Sequence, residues 1–154
     1  MEPAGKDAFL GLLDGLVERL EGFDWTRPSA EQAEGLLPFA GPAVGRIRAA
    51  ALAARDGDWL LPKENGGIRF GRVAKDLRGY SVDAVWMSGP GPKHRHPHGE
   101  IDLCFADGGD PRFDGNAEGW VVYGPGSVHV PTVRGGAMLI LYFLPRGAIE
   151  FLDR

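Results

Sequence analysis

A chain of 154 residues can hold one domain with a real core, and 44% hydrophobic against 25% charged residues is the balance of a soluble globular protein. A net charge of −4 argues against a nucleic-acid footprint, and no apolar run approaches the ~20 residues that a membrane-spanning helix needs. Cys104 is the single cysteine and cannot form an internal disulfide, so a reducing cytoplasm is the expected compartment; the opening MEPAGKDAFLGLL has neither the basic n-region nor the small-residue cleavage site of a signal peptide.

The first 60 residues read as about three helices. From Asp7 to Glu21, Phe9, Leu12, Leu13, Leu16, Val17 and Leu20 recur at three- and four-residue spacing, which predicts an amphipathic helix with Gly22 placed to stop it. Ser29 with Gln32 three residues on is a capping-box pattern for a short second helix ending by Pro38. Pro42 sits in the first turn of a third, alanine-rich helix that runs to Gly57. After Trp59 the period changes to two. GIRFGRVAK, YSVDAVWMSG, EIDLCFA, GWVVYG, SVHVPTV and AMLILYFLP alternate as half-buried strands, and AIEFL can add a last one. Val82, Ala84 and Trp86 share one face of their strand; Ser81, Asp83, Val85 and Met87 share the other. GGDPRFDG, Gly108 to Gly115, reads as a turn-rich loop. About seven short strands without helices between them predict an antiparallel barrel or sandwich. The fold expected is therefore mainly β with N-terminal helices (α+β), residues 1–60 helical and 61–154 a β-barrel within one compact domain. The helices are expected to cover one side or end of the barrel or to build a dimer interface.

The histidines are concentrated. Three of four, His94, His96 and His98, fall in HRHPHGE, and the fourth is His129. On an extended strand, His94 and His96 point to the same face. Pro97 to Gly99 is bend material, after which Glu100, Asp102 and Cys104 share one face and Ile101, Leu103 and Phe105 the other. Two imidazoles and a carboxylate after a bend can converge on one point, and such donors suit a divalent metal such as Zn, Fe, Mn or Ni. A third imidazole would have to come from His129 or His98. A solvated polar loop, with Lys93 and Arg95 beside the histidines, is the alternative reading of the same residues.

HRHPHGE resembles the first cupin motif, His-x-His and then Glu after a short gap, and YGPGSVH resembles the second, which supplies the last histidine. The departures are Gly124 where a proline is usual, Pro125 one step late, and no Asn after His129. The resemblance implies a cupin-type antiparallel barrel, or double-stranded β-helix, with His94, His96, Glu100 and His129 as ligands and His98 in the variable gap. The runs HRHPHGEID, RFDG, GWVVYGPGSVHVPTV and LYFLPRGAIEF resemble the bacterial 4-hydroxylaminobenzoate lyase family more closely. That resemblance implies a lyase of nitroaromatic breakdown, converting 4-hydroxylaminobenzoate to 3,4-dihydroxybenzoate with release of ammonia.

Beyond the ligand set, Asp102 is a buried acid or base if its face looks into the barrel, and a surface charge if the strand twists out. Glu100, Asp102 and His98 are the candidate proton carriers. Arg69, Arg72 and Arg134 are candidates for a bidentate grip on a substrate carboxylate, with Arg72 and Arg134 preferred. Trp86 and Tyr123 are candidates for stacking on an aromatic substrate. Cys104 reads as a core filler. The partners expected are a small aromatic carboxylate and a second copy of the chain. A metal-dependent dioxygenase or isomerase on another small aromatic or keto acid, or a non-catalytic ligand-binding cupin, would use the same donors.

Overall fold

The computed structural model describes residues 5–152; the outermost ends of the two expected segments, 1–4 and 153–154, lie outside the described residues. Three helices come first: α1 (Lys6–Leu20), α2 (Ala30–Leu36) and α3 (Pro42–Ala54). Nine strands follow: β1 (Lys63–Asn65), β2 (Ile68–Leu77), β3 (Tyr80–Met87), β4 (His94–His96), β5 (Glu100–Phe113), β6 (Gly119–Tyr123), β7 (Ser127–His129), β8 (Val133–Pro145) and β9 (Glu150–Phe151). Six form one antiparallel sheet in the order β1-β2-β3-β8-β5-β6, and three form a second in the order β7-β4-β9. This is the two-sheet cupin architecture, mainly β with N-terminal helices.

The alternation along β3, β5 and β8 sorts the side chains into two layers. Val82, Ala84, Ile101, Leu103, Phe105, Leu139, Leu141 and Phe143 face outward and join Phe9, Leu13, Leu16, Val17 and Leu20 of α1 in one core, so the helices cover the outer face of the large sheet. Each fully buried Val, Leu, Ile or Phe side chain here contributes about 1.5–3 kcal/mol, which is why α1 forms despite two glycines inside it. Met87, Cys104, Met138, Ile140 and Tyr142 face the other way and form a second cluster with Phe113, Val121 and Val133.

The helix ends show which local signals act. Ser29 caps α2 by accepting from the Gln32 N–H at 3.1 Å, half of the expected capping box; the Gln32 side chain instead donates to the carbonyls of Asp24 and Arg27. At seven residues α2 is too short to persist alone, and the buried Trp120 indole N–H ties its end to β6 by donating to the Leu37 carbonyl at 2.8 Å. α1 ends where expected, just before Gly22, but by a different closure. Gly22 is not left-handed; the helix closes with tight i→i+3 bonds at Glu21, Gly22 and Phe23.

The expected loop at Gly108–Gly115 is largely strand. β5 continues to Phe113 because its glycines mark irregularities in the pairing with β8 rather than the end of the ladder. A Cβ on Gly136 would stand 2.0 Å from the Gly108 carbonyl oxygen, so only glycine allows this approach. The far arm of β5 delivers Phe113 to the inner cluster and leaves Asp114, at φ 49°, in the left-handed region just beyond it.

Candidate metal centre

The small sheet carries the histidines. In the β4–β7 pairing His94 lies opposite His129 and His96 opposite Ser127, so all three imidazoles enter one space. The chain reaches β4 along Gly89–Pro92, strapped to the segment before β8 by the Gly91 N–H to the Pro131 carbonyl at 2.7 Å and the Val133 N–H to the Gly89 carbonyl at 3.1 Å. Gly99, at φ 88°, makes the bend between His96 and Glu100. The Trp25 ring lies against it so closely that a Cβ there would meet the ring at 2.4 Å and the Tyr123 carbonyl oxygen at 2.8 Å. Glu100 then enters β5 with its carboxyl group facing the imidazoles.

The convergence is tight. His129 Nε2 approaches the Nε2 atoms of His94 and His96 at 2.9 Å each. Glu100 Oε2 lies 3.3 Å from His96 Nε2 and 4.0 Å from His129 Nε2. One donor atom from each of the four residues fits within a span of 4.8 Å. His94, His96 and Glu100 are buried, and the His129 side chain is 11% exposed. Burial, followed by the neighbouring imidazoles, pushes the His94 pKa down to about 4 and that of His96 to about 3, so both present neutral lone pairs at pH 7. Burial pushes Glu100 up to about 8.

This donor set fits a metal ion. Glu100 keeps both carboxyl oxygens without a hydrogen-bond partner among the described residues, as do Nδ1 of His94 and His96. Buried polar atoms ordinarily find partners, and an unpaired buried carboxylate is costly. Three imidazole nitrogens and one carboxylate, all aimed at one point, form a set that a divalent cation satisfies at once and that protons satisfy only in part.

Asp102 is fully buried on the same face of β5, both its oxygens lack partners among the described residues, and burial holds its carboxyl well above the usual range. Its face looks inward. Cys104, one step further, is fully buried among the inner apolar side chains, and burial likewise pushes its thiol up. A cavity of about 450 Å³ opens beside His94. Ile68, Phe70, Val85, Met87, Tyr142 and Phe151 give it apolar walls, and Lys63, Arg72 and Asp83 add charge.

The other candidates separate by position. Arg72 lines the cavity, but Asp83 already holds its guanidinium, Nε to Oδ1 at 2.9 Å and Nη2 to Oδ2 at 3.3 Å. The Tyr123 ring packs against His129, ring centroids 4.1 Å apart and planes tilted by 32°. Trp86 lies on the helix side of β3 and donates its indole N–H to Asp107 at 3.0 Å. Arg134 is exposed on β8 opposite Arg112, away from the cavity lining, and Arg69 donates to the Arg55 carbonyl. His98 is exposed on the bend and stands apart from the converging donors.

Asp114 was missed from the sequence. Its Oδ2 accepts from His129 Nδ1 at 2.8 Å and from the Tyr123 hydroxyl, and its Oδ1 accepts from the Thr132 N–H at 2.8 Å. Burial raises its carboxyl, but these three bonds outweigh that and hold it below the usual carboxylate range. The available signal was RFDG, a run shared with the lyase family, inside a stretch otherwise read as a loop.

Residues 42–151, which contain all four donors and Asp114, match the family of 4-hydroxylaminobenzoate lyases. The chain belongs to that family. It is 35% identical over 112 residues to the 4-hydroxylaminobenzoate lyase of Nocardioides sp. strain LMS-CY, covering 63% of this chain and 64% of the relative. It is 31% identical over 83 residues to that of Pseudomonas putida, covering 51% and 47% respectively. The match thus spans less than two thirds of the length of either relative. Among solved structures, an RmlC-like cupin from Ralstonia eutropha aligns at TM-score 0.47 with 18% identity, over 64% of this chain and 70% of that one. An acetylacetone dioxygenase from Acinetobacter johnsonii aligns at TM-score 0.47 with 15% identity, over 64% and 74%.

Proposed function

We propose that this family member is a lyase that converts 4-hydroxylaminobenzoate to 3,4-dihydroxybenzoate and ammonia at the His/Glu cluster. The observation that carries the reading is that the family match encloses the whole converging donor set and the whole lining of the cavity beside it. The reaction is redox-neutral. The hydroxylamine oxygen leaves as water, one water adds to the ring carbon beside the nitrogen-bearing one, and a second hydrolyses the imine to ammonia. The net change is one water in and one ammonia out.

His94, His96, Glu100 and His129 would hold a divalent ion, which when bound supplies Lewis-acid polarisation or lowers the pKa of a water toward ~7. The apolar cavity walls would take the ring, with His94 in the lining. Arg72, braced by Asp83 at the cavity lining, keeps guanidinium donors available for the benzoate carboxylate. Tyr123, packed against His129, would shield the cluster. Asp102, beside Glu100 on the inward face of β5, would pass protons toward the nitrogen and the entering water. Trp86, Arg134 and the exposed His98 have no part in this reading.

The test is turnover. Purified protein supplied with Zn, Fe, Mn or Ni in turn should release ammonia and dihydroxybenzoate one to one from 4-hydroxylaminobenzoate, without oxygen uptake. Absence of turnover with every divalent metal overturns the substrate assignment, and stoichiometric oxygen uptake overturns the reaction class.

A further inference from the structure

Among the described residues the Asp114 carboxylate has three hydrogen-bond partners, none of them a lysine or arginine. Its carboxylate joins His129 of β7, Tyr123 of β6 and the Thr132 backbone just before β8, and its own N–H returns to the Thr132 carbonyl at 2.8 Å. The side chain is 18% exposed, so these contacts are made largely out of water. Its carboxylate can only accept, so the imidazole nitrogen facing it must carry the proton. A neutral imidazole has one N–H, and placing it on Nδ1 leaves Nε2 as a bare lone pair. That lone pair faces the Nε2 atoms of His94 and His96.

We propose that Asp114 is a positioning residue that locks His129 in the Nδ1–H tautomer and aims its Nε2 at the cluster. The inference rests on the metal reading of that cluster, but its first consequence is visible without metal. The Thr132 N–H needs an acceptor, so in Asp114→Asn the amide oxygen stays on Thr132 and the NH₂ turns to His129. The amide then donates to Nδ1, the proton moves to Nε2, and it points at the space the lone pair had filled. The shape is kept and the tautomer reversed.

The experiment has two arms. Nitrogen-15 NMR of the histidine side chains in metal-free protein should show His129 as Nδ1–H in the wild type and as Nε2–H in Asp114→Asn. Titration with Co(II) against a competing chelator should show affinity about 10–100-fold weaker in the variant, the usual loss when such an outer carboxylate is altered. A thermal melt of the metal-free variant close to wild type separates this from a folding defect. An Nε2–H tautomer at His129 in the wild type overturns the proposal, and that measurement needs no variant. Unchanged Co(II) affinity in a correctly folded variant overturns it as well. A wild type that takes up no Co(II) defeats the metal reading instead, and the tautomers of the two proteins then decide this proposal alone.

Discussion

The two faces of the six-stranded sheet are made by the same strands with the same alternation, yet they obey different rules. The outer face of β3, β5 and β8 is apolar, covered by helices, and its polar contacts are met, as where the Trp120 indole donates to the Leu37 carbonyl. The inner face buries Glu100 and Asp102 with no hydrogen-bond partner among the described residues and packs three histidines against them. One face is built for stability alone. The other carries a destabilising concentration of unpartnered carboxyl groups and imidazole lone pairs, tolerable because the first anchors the sheet. Stability and chemistry are divided between odd and even positions of single strands.

Substitutions can break this division from either side. The largest effect is expected for His96→Ala, which should reduce metal stoichiometry and turnover to background. Metal at 100 times its Kd should stabilise the wild type by about 2.7 kcal/mol in thermal melts, and the variant should lose that shift. A variant that still binds metal at full stoichiometry would remove His96 from the ligand set. Next comes Phe143→Ala on the outer face, expected to cost about 3–5 kcal/mol in denaturant unfolding while the remaining folded protein binds metal with unchanged affinity. Loss of metal affinity in that variant would show that the faces are coupled. Smallest is Ser29→Ala, which removes the α2 cap and should cost about 1 kcal/mol, read as a shift in unfolding midpoint with activity unchanged.

The division between faces was legible in the sequence, because period two is a property of the strand itself. Ile101, Leu103 and Phe105 lie on one side of β5, with Glu100, Asp102 and Cys104 on the other, as the alternation predicts. The helices were legible through their apolar spacing and the Ser29 cap. What alternation does not carry is which distant strand a face will meet. Trp86 shares a face with Val82 and Ala84, and that face meets helices rather than a cavity. Asp114 reaches His129 from the far arm of β5, where the pairing with β8 shifts register at its glycines, and in the sequence that stretch read as a turn-rich loop. Residue types gave the donors; the long-range route of β5 gave the carboxylate behind one of them.

The contact between Trp25 and Gly99 bears on how this chain can be shortened. The family match begins at residue 42, so a trimmed chain starting there would retain every donor and the whole cavity lining. It would also lose the indole that seats the turn between His96 and Glu100. In such a trimmed protein the ligands would all be present and their hinge would be unloaded, so the helical segment is a working part of the site although it contributes no atom to it.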